Sequence, residues 1–336
     1  MSRRSYPRPD YRASVWMNTV LKVSLLADLG IHEASKFQET LSIAISLLQA
    51  TRGRMQAGRW FGRLGSGDAV GRTSIPVELK FLAVLQILGR GNCFDDIEVV
   101  PGIQESTVHA CLHTLGKNFA KGVYKTRISA PEGDDLKELT ATYTRLGFPG
   151  AVGYGDVTHV RWNKAPASRT VYYTGKEGFP SIVYQVTVDH TGCALALTAG
   201  FAGATNDKTI VRYDPSVDRV KTHKAYTQIV DGGYHQVYIG MKYSLSCLLY
   251  LPLCVQWRCL MCRLKSVLTV AELKWSKHLE SVRKYVECFF GRLKGRFRIL
   301  KILLTFWVSN ANSREKIGNI FFACCLLQSM LHAYDG

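Results

Sequence analysis

Three acids in this 336-residue chain sit where a carboxylate needs a partner. Asp156 lies inside the run Gly-Tyr-Gly-Asp-Val-Thr-His-Val, between Tyr154 and Val157. A charge within such a strand is costly unless it is paired or bound to a cation. Asp231 closes Gln-Ile-Val and precedes Gly232-Gly233, so it falls at the carboxyl end of a strand. That is where α/β sheets place their ligands. Glu287 stands between Val286 and Cys288-Phe289-Phe290, on or beside the apolar face of a helix. Three carboxylates gathered from two strands and a helix repel one another, and divalent cations relieve that repulsion. Hard oxygen ligands with open positions suit Mg²⁺ or Mn²⁺. Two such ions ~4 Å apart activate a water and stabilise the leaving oxygen in phosphodiester cleavage. Taken one at a time, each acid also fits a structural role as a hydrogen-bonded strand acid, a helix cap or a turn residue. Their order and surroundings carry the argument.

The surroundings are basic. Arg283, Lys284, Arg292, Lys294, Arg296, Arg298 and Lys301 flank Glu287, and no acid interrupts residues 288–301. Such a row neutralises nucleic-acid phosphate, although a solvated helix face has the same composition. The whole chain repeats the signal, with 43 Lys and Arg against 26 Asp and Glu, a net charge of +17. A surplus of this size points to a polyanionic partner, either nucleic acid or an anionic membrane surface. Charge alone does not separate this from a merely soluble basic protein.

The elements that must position these groups follow from the pattern. Residues 1–72 form a basic arm, with Arg3, Arg4, Arg8 and Arg12, and a helical region over 35–56. A linker rich in glycine covers 62–76. Over 73–128, Phe81, Leu82, Leu85 and Leu88 recur at helical spacing until Gly89 and Gly91. Asp95–Val99 makes a short second helix, Pro101-Gly102 a turn, and Ser106 opens a third helix with Val108, Leu112, Leu115 and Phe119 on one side. This is the grammar of a helix-turn-helix, whose last helix enters the major groove. Its candidate DNA-facing residues are Gln104, Thr107, His109, His113 and Lys117, and an ordinary three-helix packing unit has the same pattern. From 150 to 335 the texture is α/β. Short β-branched or aromatic runs fall at 151–162, 169–175, 182–189 and 193–201, a short helix near 206–213, and a strand ending at Asp231. Thr269 and Glu272 form a capping box that opens a helical stretch running on to Leu300. Strands followed by helices predict an α/β domain with a mixed sheet flanked by helices.

Other classes are disfavoured. No apolar segment of signal-peptide type follows the N-terminal arm, so the ten cysteines are expected to be free thiols. The longest apolar runs, 245–255 and 317–331, fall short of the ~20 residues that cross a bilayer. Cys259 and Cys262 form one CxxC pair, and neither they nor Cys254, His278 and Cys288 match a zinc spacing. Cys324-Cys325 reads as core. No GxxxxGK[ST] or GxGxxG is present, so no nucleotide cofactor is indicated.

The segments GYGDVTHVRW, YYTGKEGFPSIVYQVTVDHTG, AGFAGATNDKTIV, IVDGGY and HLESVRKYVECFFGRLKGRFRILK resemble the catalytic domain of PIF/Harbinger-type transposases, DDE superfamily endonucleases. The resemblance covers roughly residues 75–335, and VECFFGRLKGRFRIL is its most specific part. It implies an RNase H-like fold and a divalent-metal DDE triad of Asp156, Asp231 and Glu287. It implies Asp207 as a further acid, read as a neighbour of the triad or a helix cap. His159, following the first acid, is a candidate to orient substrate or ligand, and Tyr234 reads as packing. The activity implied is cleavage of DNA at transposon terminal repeats and joining to target DNA, in the nucleus. The partners implied are those DNAs, a Myb/SANT-like companion protein and further copies of the chain. Two rival readings are a transposase-derived DNA-binding protein that has lost cleavage and an RNase H-like hydrolase acting on RNA. The chain departs from the family in the apolar stretch 235–256, a lineage insertion or a retained intron, and in Leu327-Gln328-Ser329-Met330-Leu331 near the end.

Overall fold

The computed structural model describes residues 60–61, 75–91, 103–222, 226–234, 259–264, 267–302 and 313–332. The N-terminal arm, the helical region 35–56, most of the linker 62–76, the turn Pro101-Gly102, the helix Asp95–Val99 and the apolar stretch 235–256 lie outside the described residues. In chain order the main elements are helices α1 (Val77–Arg90), α2 (Glu105–Arg127) and α3 (Gly133–Arg145), then strand β1 (Ala151–Arg161). β2 (Ser181–Val188), β3 (Ala194–Leu197) and β4 (Phe201–Ala202) follow, then α4 (Pro215–Thr222), β5 (Thr227–Val230) and β6 (Leu260–Met261). Helices α5 (Val270–Arg296) and α6 (Ser313–His332) complete the set. The chain divides into two compact units, one of Met1–Tyr124, Arg296–Phe306 and Glu315–Gly336, the other of Lys125–Gly295 and Trp307–Arg314.

The first unit is helical. α1 buries Leu79, Phe81, Leu82, Val84, Ile87 and Leu88. It ends at Gly91, whose φ of 66° is the left-handed conformation that glycine adopts without penalty. Gly89, expected as a stop, is still helical. A Cβ on Gly91 would also press against the backbone of Arg298, whose N–H donates to Gly89 O. α2 buries Val108, Cys111, Leu112, Leu115 and Phe119, the face expected from the spacing. α1 and α2 supply two of the three expected helices, and the connection that would define a helix-turn-helix falls outside the described residues.

The second unit is built on a six-stranded mixed sheet in the order β3-β2-β1-β5-β6, with β4 also paired to β2. β1 pairs antiparallel with β2, and parallel with β5. Every residue of β2 is buried, as suits a strand covered on both faces. Two stretches differ from the sequence pattern. Within 169–175, expected as a strand, residues 170–173 form a helical turn with Val171 and Tyr172 exposed, and Thr174 makes an isolated antiparallel bridge to Pro180. α3 falls where the pattern set no element.

A buried polar layer lies behind β1. Thr187 Oγ1 donates to Asp214 Oδ2 at 2.8 Å, and Ser216 Oγ to Asp214 Oδ1 at 2.7 Å. Gln228 Nε2 donates to Thr187 Oγ1 at 2.6 Å, and Tyr234 Oη to Gln185 Oε1 at 2.7 Å. Burial pushes the Asp214 carboxyl up, and these donors hold it partly in check. The side chain of residue 155 would occupy the same space, and a Cβ there would run into Gln228 Nε2 and come within 2.9 Å of Gln185 Nε2. Only glycine fits beside Asp156.

α5 opens with the expected capping box. Glu272 Oε2 accepts from Leu268 N at 2.7 Å and Thr269 N at 3.0 Å, and Glu272 N donates to Thr269 Oγ1 at 3.2 Å. Thr269→Ala is expected to lower stability by about 1 kcal/mol, and Thr269→Ser to be near neutral, both read by urea denaturation. Equal losses for both would mean the methyl group rather than the hydroxyl matters.

Candidate active site

Asp156 and Asp231 are brought together by strand register. In the parallel β1–β5 pair Gly155 lies opposite Val230, so the next residue on each strand is an acid. Neighbouring strands run ~4.8 Å apart, and the two carboxylates leave the sheet side by side. Asp231 is fixed by the turn after β5, where Gly233 N donates to Asp231 Oδ2 at 3.2 Å and Tyr234 N to Asp231 O at 3.1 Å. Asp156 Oδ1 accepts from Val157 N at 2.8 Å.

Glu287 is delivered by α5. Leu279, Val282, Val286, Phe289 and Leu293 recur at three- and four-residue steps and are all buried, so one stripe of the helix faces the core. The helix is pinned along its length. His278 Nε2 lies 2.9 Å from Leu146 O and its ring stacks on Phe148. Tyr285 stacks on Tyr154 of β1 at 5.7 Å between centroids, and Lys294 Nζ donates to His159 O at 2.9 Å. Glu287 projects between the last two of these anchors.

All three acids meet one guanidinium. Arg283 Nη1 lies 3.0 Å from Asp156 Oδ2, Nη2 lies 2.7 Å from Glu287 Oε1, and Nε lies 3.7 Å from Asp231 Oδ1. Glu280 Oε2 adds a fourth carboxylate at 3.3 Å from Nε. Burial works against the charge of Arg283, but these four acids hold its pKa above the usual value. Burial pushes Asp156 up to about 6. The Val157 amide and Arg283 pull it down, and Asp231 and Asp207 push it further up.

Asp207 belongs to the same group. A Cβ on Gly233 would sit 3.4 Å from Asp231 Oδ2 and 3.7 Å from Asp207 Oδ2, so both oxygens lie against one glycine. Asp207 is not the cap of its short helix. Asn206 is, accepting from Lys208 N at 2.8 Å, and Asp207 pairs with Lys176 Nζ at 3.2 Å. His159 Nδ1 lies 3.0 Å from Ser181 Oγ, and burial lowers its pKa. Tyr234 is packed as expected, 3% exposed, and burial and the surrounding acids raise its phenol pKa.

The donor set fits hard cations. Asp156, Asp207, Asp231, Glu280 and Glu287 crowd the region, against Arg283, Lys176 and Arg263, which lies 3.9 Å from Glu280. The residual negative charge and the all-oxygen chemistry match Mg²⁺ or Mn²⁺. Among the described residues no group of three or more His, Cys, Asp or Glu is arranged to hold a metal ion.

The expected DNA-binding residues separate. Arg283 does not belong to an outward row, since it is 8% exposed and turned into the acids. Lys294 is tied to the His159 carbonyl and Arg296 Nη1 donates to Gln328 Oε1 at 3.1 Å. Gln328 is thus a buried partner within the helical unit. Lys284, Arg292 and Arg298 are exposed. On α2, Lys117 and His109 are exposed, Thr107 is half-buried, and His109 and His113 approach through their Nε2 atoms at 3.2 Å. Cys259 and Cys262 bracket β6 as free thiols, and Cys324 and Cys325 are buried. No helix among the described residues is long and apolar enough to cross a membrane.

The sequence pattern missed the inward role of Arg283 and the part of Glu280. The signal was present, because Glu280, Arg283 and Glu287 stand at three- and four-residue spacing on one helix stripe. A family model described as DDE superfamily endonuclease matches residues 155–328, about half of the chain. No curated protein and no solved structure matches the chain.

Proposed function

The chain belongs to the DDE superfamily endonucleases, and from that premise we propose that it is a transposase-type nuclease of the PIF/Harbinger kind, acting on DNA in the nucleus. The observation that carries the reading is the convergence of Asp156, Asp231 and Glu287 from two adjacent parallel strands and one helix. The sheet order, with β1 central and β2 antiparallel to it, is that expected of an RNase H-like domain.

In this reading Asp156, Asp231 and Glu287 would hold divalent cations. Two Mg²⁺ or Mn²⁺ ions would supply Lewis-acid activation of water and stabilisation of the departing 3′ oxygen. The chain's own part is to carry three carboxylates on a sheet and a helix, so that the backbone positions of the acids are set before DNA arrives. Lys284 and Arg292 are exposed on the helix that carries Glu287, and in this reading they would meet backbone phosphates. Cleavage at terminal repeats, joining to target DNA, a Myb/SANT-like companion and self-association extend this proposal.

The test is a nicking assay on DNA carrying the element's terminal repeats, with the purified chain in Mg²⁺, in Mn²⁺ and in EDTA. Strand cleavage in either metal and none in EDTA is expected. Binding without cleavage in all three would favour the non-catalytic reading, and cleavage of RNA in preference to DNA would favour the third.

A further inference from the structure

We propose that the Arg283 guanidinium is an internal stand-in for the divalent cation, filling the carboxylate cage in the metal-free chain and giving way when metal binds. The inference rests on the reading of Asp156, Asp231 and Glu287 as metal-holding groups. Its basis is geometric. One guanidinium reaches all three acids that would hold metal, Nη1 facing Asp156 at 3.0 Å, Nη2 facing Glu287 at 2.7 Å, and Nε lying between Glu280 at 3.3 Å and Asp231 at 3.7 Å.

A guanidinium is a planar fork about as wide as two carboxylate oxygens. Carboxylate oxygens engaged along its edge are committed to the guanidinium and must leave it to ligate a small cation. Charge leads to the same conclusion. Without Arg283 the carboxylates would face one another unscreened in a half-buried site. With it they are held in place, but at a spacing and charge that a divalent cation must displace.

A strut and a stand-in make opposite predictions for metal affinity. If Arg283 only braced the acids, its removal would splay them and weaken binding. If it competes, its removal tightens binding and destabilises the metal-free chain. Arg283 lies on the buried side of α5 and is not needed for the helix to form, since the apolar stripe and the capping box remain without it.

The experiment is a Mn²⁺ titration by calorimetry of the wild-type chain, Arg283→Gln and Asp156→Asn, with thermal melts of each in EDTA. The stand-in predicts that Arg283→Gln binds Mn²⁺ roughly tenfold or more tightly than wild type. It also predicts a lower melting temperature for Arg283→Gln in EDTA and a larger gain on adding metal. Equal or weaker binding by Arg283→Gln, with saturable binding by wild type, overturns the stand-in and leaves the metal-holding reading in place. Absence of saturable binding by wild type overturns both. Should Arg283→Gln fail to fold, the arginine Nε–H signals of the wild-type chain decide, with that of Arg283 assigned by its loss in Arg283→Lys. The Arg283 signal must shift on saturation with Mg²⁺, and an unmoved signal overturns the proposal.

Discussion

Asp156→Asn is expected to abolish DNA cleavage, by at least about 10³-fold, and at the same time to make the metal-free protein more stable at neutral pH. The two effects have one cause. Asp156 is 18% exposed at the side chain, with its carboxyl raised to about 6 by burial against the pull of Arg283. The unfolded chain releases that proton near the ordinary value of 3.8. Between these values the folded state binds more protons than the unfolded one, so stability falls as pH rises through the window. The loss is complete above about 6. It amounts to on the order of 3 kcal/mol. Asparagine carries no charge to desolvate and escapes this loss. Thermal melts in EDTA should show the variant ahead of wild type at pH 7.5, with the gap closing as pH falls from about 6 toward 4. Adding Mn²⁺ should reverse the order, because only wild type gains from binding. A variant that melts below wild type at pH 7.5 in EDTA would show that the Arg283 contact outweighs the burial of Asp156.

Gly155→Ala is expected to be the more damaging of the two glycine-to-alanine changes available in β1. Its Cβ would collide with Gln228 Nε2 and crowd Gln185 Nε2. Both amides belong to the buried layer that links Thr187, Asp214, Ser216 and Tyr234. Overpacking costs about 1–3 kcal/mol, and a displaced buried amide that loses its partner costs about 1–3 kcal/mol more. A loss of roughly 3 kcal/mol or more should appear in urea denaturation, together with loss of metal binding, because β1 carries Asp156 at the next position. Gly291→Ala and Gly295→Ala are the controls. Neither added Cβ meets an atom within 4 Å, and both lie in α5, so each should gain about 0.5–1 kcal/mol. If Gly155→Ala folds as stably as wild type, the amide layer is free to rearrange and does not set the strand spacing.

Much of this site was legible in the sequence. Asp156 and Asp231 are each marked by an acid interrupting or ending a β-branched run, and Glu287 by its place beside an apolar helical stripe. The capping box at Thr269 and Glu272 needed only local chemistry, and the structure has it as read. What was not legible depends on facts outside any local window. The direction of Arg283 is decided by which face of α5 packs on the sheet, and a count of cations along the helix is blind to that. The run 169–175 has strand composition, but its pairing is limited to a lone antiparallel bridge from Thr174 to Pro180, and residues 170–173 coil into a helical turn. The two residues of β6 are too short to show any alternation, and they become a strand because β5 offers them an edge. The juxtaposition of the first two acids comes from the register of Gly155 with Val230, which no periodicity encodes.

That parallel register also sets when the chain can acquire its chemistry. β1 and β5 are separated in sequence by β2, β3, β4 and α4, and α5 comes later still. Contacts between such distant segments form late, because chain closure must precede any gain from pairing. During synthesis, Asp156 leaves the ribosome well before either of its partners exists. A chain truncated before α5 would keep its first two acids but lack both Glu287 and Arg283. The site is therefore incomplete by topology until α5 docks, and a translation product that stops before that helix lacks the third acid.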